Sequence, residues 1–488
     1  MLIQNSAIYM VAKLLPGLFG LATTAALTRL LDPHEYGLYG LALVVMTLGS
    51  IILFDWLGLS FLRFYQSRRD DSGLLSTFLC MFGALVIVSA AALGAALISG
   101  VVPADLVGTY VVGLLMVWAC AWFELNSKLA VAEFQPMKVL RMNLGRSLLV
   151  LVGATTAAWL TRSPLWTAMG TGAGIFIGAF FGRVPIPRPS WRRFDRGLAR
   201  SVMVFGAPMA ASMALFTLID GGTRILLERL DSAQALGLYT AASVLAQSTI
   251  GVIAAGVSSA GYSLVVREVE RGDHAGARRQ LLANGTLLLA VVAPTSLGIA
   301  LTGNCIATTF LGSRFVSGVA PLMLWIAANS FFNSLRCEYL DHAFHLGKKP
   351  HLQISVMGVA GIVAVGLSFY LIPKYGPIGA AAAVAVAYAV ACVHSLIAGR
   401  YAYPIPLPIA AGIRVGICCA MMALVVVQLP NSGWSGLVLR ATLGSGTYAI
   451  AALALNLLDS QEHAVRFVKR AAGWWTAFRS NGALRKFR

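Results

Sequence analysis

A chain of 488 residues that is 58% hydrophobic, only 11% charged and carries 49 glycines is no water-soluble globule, since such proteins are about 25% charged. The composition describes a polytopic membrane protein. Its formal net charge of +18 does not make it a nucleic-acid binder, because the basic residues are spread through short loops and a tail rather than along one soluble face. The cysteines (Cys80, Cys120, Cys305, Cys337, Cys392, Cys418 and Cys419) form no CxxC pair. They fall in or beside apolar runs, where they read as small packing residues that need no disulfide or metal.

One crossing takes about 20 apolar residues, and on that rule the sequence predicts an all-α membrane protein of about fourteen transmembrane helices. In the first half they centre on 8–30, 37–57, 74–99, 105–126, 139–160 and 164–183. No basic n-region or small-residue cleavage site accompanies the first, which is expected to be a retained span rather than a signal peptide. The second half gives 202–226, 235–258, 280–302, 317–336, 352–372 and 376–398, and two more spans follow at 407–428 and 434–456.

An internal echo divides this series. Leu31-Asp32-Pro33-His34-Glu35-Tyr36-Gly37-Leu38-Tyr39 returns as Leu230-Asp231-Ser232-Ala233-Gln234-Ala235-Leu236-Gly237-Leu238-Tyr239. The expected organisation is a six-helix bundle over 1–184, a basic linker over 185–200, a second six-helix bundle over 201–400, two additional helices over 401–458 and a basic amphipathic tail over 459–488. Six spans per half make the repeats parallel, with substrate handled at their interface. Each Gly-Leu-Tyr is expected at an outer hairpin end, the glycine allowing a tight turn and the tyrosine suiting the membrane interface.

Basic residues orient the chain. One side collects Arg63, Arg68 and Arg69, then Lys128, Lys138, Arg141 and Arg146, then Arg183 to Arg200, Arg267 to Arg279, Arg336, Lys348, Lys349 and the tail. The other shows Arg29, Arg162, Arg229, Arg314, Lys374 and Arg440. Cytoplasmic loops carry the excess, so both termini are expected in the cytoplasm. The tail, with Trp474, Trp475 and Phe478, reads as an interfacial anchor.

Several stretches together resemble the Wzx-type oligosaccharide flippases, the polysaccharide transport family of the multidrug, oligosaccharidyl-lipid and polysaccharide exporter superfamily. They are Thr28 to Tyr39, Asp55-Trp56-Leu57-Gly58-Leu59 with Arg63, Asp220, Leu236 to Ala242, and Leu371 to Ala381. The resemblance covers roughly residues 1–400; the last two spans match by number alone. It implies a bacterial inner-membrane protein that moves an undecaprenyl-pyrophosphate-linked oligosaccharide to the periplasmic leaflet for O-antigen, capsule or exopolysaccharide synthesis. It also implies two bundles around a central, often cationic cavity, alternating access, and a place beside a polymerase and other glycan-assembly proteins. Lipid II flippases are neighbours in the superfamily, but their arginine-rich first hairpin is not seen here.

Charges inside spans are the candidate site residues, because an unpaired charge there costs a few kcal/mol and usually faces a cavity or a partner. Lys13, in the first span, either offers an ammonium to a pyrophosphate or snorkels to the surface. Asp220 and Arg224, four apart, either neutralise each other or give a phosphate contact and a titratable partner. Asp55, Glu124 and Asp220 are candidates for proton or cation coupling. Gln247, Asn329 and Asn333 suit sugar hydroxyls or helix–helix hydrogen bonds. Glu338, Asp341, His342 and His345 have a metal-like spacing, but their place beside Gly347-Lys348-Lys349 predicts a solvated helix end, so no metal and no cofactor are expected. With no Walker motif and no nucleophile–base pair, an enzyme is not expected. The alternatives are a cation-coupled multidrug exporter, for which an acidic cavity would be wanted, and a membrane-embedded glycosyltransferase or polymerase, for which a sizeable extramembrane loop would be needed.

Overall fold

The computed structural model describes residues 2–65, 72–182 and 193–457, with backbone alone at 2–15, 72, 207–208, 211–212 and 259–260. Part of the basic linker and the whole tail over 459–488 therefore lie outside the described residues. Every regular element among the described residues is a helix. The first half holds α1 (Leu2–Leu30), α2 (Pro33–Tyr65), α3 (Ser72–Ile98), α4 (Val107–Ala132), α5 (Pro136–Thr161) and α6 (Pro164–Gly178). Then come α7 (196–230), α8 (Ala233–Glu270), α9 (His274–Leu301), α10 (Gly303–Phe310), α11 (Ser313–Val319) and α12 (Leu322–Leu346). The chain closes with Pro350–Gly399, Ile409–Val427 and Gly433–Ala454.

Ten of these helices are long and apolar enough to cross a membrane, or eleven if α11 and α12, bent by 64°, form one span. This is a multi-pass membrane protein. Three places separate that number from the fourteen expected segments. α1 includes side chains outside the described residues, and α7 is broken by a wide turn at Leu218–Gly222. The third is the 50-residue helical run Pro350–Gly399, which reverses at Gly376 (φ 54°, ψ −133°), a conformation open to glycine. Residues on either side of that glycine, including Ala360, Ala364, Ala387 and Ala391, pack into one cluster. The run is thus a helical hairpin, α13 (350–375) and α14 (377–399), ahead of α15 (Ile409–Val427) and α16 (Gly433–Ala454).

The echo in the sequence proves to be a pair of helix starts. Asp32 caps α2, accepting from Glu35 N at 2.8 Å while the Glu35 carboxylate accepts from Asp32 N at 2.9 Å, with Pro33 at the first helical position. Ser232 caps α8, its hydroxyl accepting from Ala235 N at 3.2 Å. Gly37 and Gly237 lie inside these helices rather than in turns, which corrects the expectation, and they lie against each other. A Cβ on Gly37 would stand 1.7 Å from the Ala233 carbonyl oxygen, and one on Gly237 would stand 2.0 Å from that of Pro33. Glycine is there for close backbone approach. Tyr36, Tyr39 and Tyr239 are correspondingly buried to 4% exposure or less, not set at a membrane interface.

Further contacts join the halves. At the end opposite the basic loops, Arg29 Nη2 donates to Thr309 O at 3.0 Å and Gly312 N donates to Thr28 Oγ1 at 3.3 Å. Towards the basic end, α7 lies on the lower part of α2: a methyl on Gly206 would overlap the Trp56 ring at 2.1 Å, and the Arg63 guanidinium sits 4.2 Å from the Phe205 ring centre.

Candidate functional site

Two polar regions lie within the apolar helices, one in each half. The first is a cavity of about 310 Å³ between α1, α2, α5 and α6, reaching Val244 of α8. Most of its wall is apolar, and hydroxyls make up most of the polar remainder. Tyr36 OH donates to Thr24 Oγ1 at 3.3 Å, and Tyr39 OH lies 3.2 Å from Thr171 Oγ1. Asn143 and Ser147 add polar groups from α5, and Arg146 supplies the cation.

Sequence reasoning placed Arg146 among loop charges. It sits ten residues into α5, about 15 Å along the helix, which corrects that reading. Its Nη1 lies 3.8 Å from Glu124 Oε1, and its guanidinium 4.8 Å from the Phe123 ring centre. Lys128 Nζ stands 3.7 Å from the other Glu124 oxygen, and Asp55, closing the wide turn Ser50–Asp55 of α2, shares a small recess with Glu124 and Lys128. Two expected coupling residues, Asp55 and Glu124, are thus brought together beside Arg146. The distance of Arg146 from the helix start, with Asn143 one turn before it, was the signal available in the sequence.

The second region runs through the second half. Asp220 and Arg224 form no ion pair within 4.0 Å among the described residues, although the Arg224 charge acts on the Asp220 carboxylate, and Asp220 Oδ1 and Arg224 Nε are buried without hydrogen-bond partners. The expectation assumed α-helical spacing. The wide turn at Leu218–Gly222 hydrogen-bonds five residues back, so positions four apart no longer share a face. Instead the Tyr388 hydroxyl of α14 approaches Asp220, and the Arg224 guanidinium stands 5.6 Å from the Tyr239 ring centre.

Tyr388 also flanks Arg336, whose guanidinium is 5.7 Å from its ring centre. Arg336 is 3% and Asp341 1% exposed at the side chain, and the two form an ion pair. Gln353 Nε2 and Ser395 Oγ donate to the Asp341 carboxylate at 3.0 and 2.9 Å. Asn333 Oδ1 accepts from Arg336 Nη2 at 2.9 Å. The expectation of a solvated helix end at Asp341 fails because the wide turn Arg336–Leu340 in α12 carries both charges inward against α13 and α14. Asn329 is 1% exposed with its Nδ2 unpartnered, and Gln247 is half-buried on α8. The Lys13 side chain lies outside the described residues.

Residues 26–320 match the sequence model of a family described as polysaccharide biosynthesis protein. The chain belongs to that family. Comparison with curated protein sequences gives no match. Among solved structures it is similar to a lipid II flippase, MurJ, in an inward closed conformation, at 13% identity and a TM-score of 0.74, covering 93% of this chain and 99% of that one. An inward-facing multidrug-resistance MATE transporter is similar at 14% identity and a TM-score of 0.59, over 79% and 94% of the two chains. A transporter of the same superfamily from Pyrococcus furiosus follows at 13% identity and a TM-score of 0.53, over 85% and 95%. At these identities the likeness is one of fold, that of an all-helical transporter; the neighbours themselves are a flippase and transporters rather than enzymes.

Proposed function

We propose that the protein is a flippase that carries a lipid-linked, phosphate-bearing oligosaccharide across the bacterial inner membrane, from the cytoplasmic to the periplasmic leaflet, by alternating access. Both termini are cytoplasmic in this reading. The glycan enters O-antigen, capsule or exopolysaccharide synthesis, next to a polymerase and other assembly proteins. The observation that carries the proposal is the hydroxyl-lined cavity with Arg146 at its side, in a chain of the polysaccharide biosynthesis family. The fold it shares with a lipid II flippase supports the same reading.

In the mechanism, the headgroup leaves the leaflet while the lipid chain stays in the bilayer. A cavity shielded from bulk water strengthens the attraction between a guanidinium or ammonium and a phosphate. Arg146 and, from the sequence, Lys13 and Arg224 are the proposed phosphate contacts. Gln247 is offered to the glycan. Asn333 is engaged by Arg336 of its own helix, whereas the Asn329 amide nitrogen, buried and without a partner, is offered to the glycan with Gln247. Coupling to a proton or cation runs through Asp55, Glu124 or Asp220, with no cofactor. An acidic drug site suits the first cavity poorly, since the only charged residue in its wall among the described residues is Arg146.

The test is a leaflet-resolved assay of a labelled polyprenyl-pyrophosphoryl oligosaccharide in vesicles containing the protein. Wild type should equilibrate the label across the bilayer. Arg146→Ala should slow it about tenfold to a hundredfold, the loss of a charge-assisted contact. A wild-type protein that leaves the label in its starting leaflet ends the proposal.

A further inference from the structure

The cavity between α1, α2, α5 and α6 holds about 310 Å³ and joins polar groups to an apolar wall. That volume falls at the lower end of small-molecule sites, about 300–1,000 Å³. Its chemistry narrows the occupant. A hydrocarbon chain would match the apolar part of the wall and make no use of the Tyr36–Thr24 and Tyr39–Thr171 hydroxyl pairs. A phosphate calls for a cation, and Arg146, the one cation among the described residues of the wall, answers that at the cavity's side, which leaves the hydroxyl pairs for another part of the headgroup. Hydroxyls both donate and accept, as do the hydroxyls of a sugar. The tyrosine rings add apolar faces beside polar tips.

We infer that the hydroxyl-bearing part of this cavity is a neutral saccharide subsite, in which the Tyr39–Thr171 and Tyr36–Thr24 hydroxyl pairs read one pyranose ring of the cargo beside the phosphate contact of Arg146. This rests on the flippase reading and adds to it the residues that decide which glycan passes. Within each pair the two hydroxyls meet at 3.2 and 3.3 Å. A sugar hydroxyl of matching position takes the place of one partner, and an analogue lacking it leaves the pair as before. The cost of admitting a guest is therefore small, and discrimination arises from the hydroxyls the guest presents.

The experiment uses vesicles with the full chain and polyprenyl pyrophosphate bearing one glucose, together with its 2-, 3-, 4- and 6-deoxy analogues. In wild type, at least one deoxy analogue should cross about three- to tenfold more slowly than the glucose probe, the worth of one neutral hydrogen bond. In Tyr39→Phe with Thr171→Val that difference should vanish. The double variant removes both partners and leaves no orphaned polar group, so it is expected to fold. If its melting shows that it does not, Tyr36→Phe with Thr24→Val reads the second pair. An undiminished deoxy effect in the folded variants overturns the subsite while leaving the flippase reading intact. So does an equal slowing of every probe, which marks a structural role. If wild type moves none of the probes, the flippase reading falls and the subsite falls with it.

Discussion

Arg336 and Asp341 lie almost wholly out of solvent, and the pair is completed by Gln353, Ser395 and Asn333. A buried pair of this kind is costly to break and cheap to replace, because removing one member strands a charge. Asp341→Ala should lower stability by about 3–5 kcal/mol, read as thermal unfolding in detergent. Arg336→Met combined with Asp341→Leu should recover most of the loss; a double variant no better than the single would argue against a stranded charge. This is also the scale at which the sequence was least legible. Arg146, Arg336 and Arg440 all entered the tally of loop charges, since a charge excess says which side a segment faces but not how deep a residue lies. Arg440 is 5% exposed and donates to the carbonyls of Leu301, Leu429 and Pro430 at 2.6–2.9 Å. It closes the ends of α9 and α15, where the helix dipole welcomes a cation.

Among the elements, the hairpin of α13 and α14 hangs on one backbone conformation. A side chain on Gly376 would be strained, at about 1–3 kcal/mol, and its Cβ would meet Asp231 Oδ2 at 2.7 Å. Gly376→Ala should therefore lower the melting temperature, whereas Gly358→Ala, where no atom lies within 4 Å of the added methyl, should not. Equal melting of the two variants would count against the turn's dependence on glycine. This turn was legible, because the apolar runs break at Lys374-Tyr375-Gly376-Pro377. The wide turns in α2, α7 and α12 were not. Each adds one residue to a helical turn, a change with no signature in residue type, and one of them separated Asp220 from Arg224. Membrane helices and their approximate limits follow from hydropathy alone, but the rotation of a helix about its axis follows from packing.

At the scale of the whole molecule, the two halves touch where their shared motif repeats. A methyl group on Gly37 cannot be accommodated 1.7 Å from the Ala233 oxygen, so Gly37→Ala should shift the population towards a form with α2 and α8 apart. Spin labels on the two helices, away from the seam, would report a longer distance than in wild type; an unchanged distance would show that the seam yields in another way. The seam is made of backbone. Where Cβ atoms would be, hydrogens of Gly37 and Gly237 point at the carbonyls of Ala233 and Pro33, and Cα–H···O contacts are worth only about 0.5–1 kcal/mol each. The glycine contact itself carries no charge and no strong hydrogen bond, while Leu41 and Leu236 pack together beside it. A joint so exacting in shape can act as a latch that cargo binding elsewhere in the molecule is able to release.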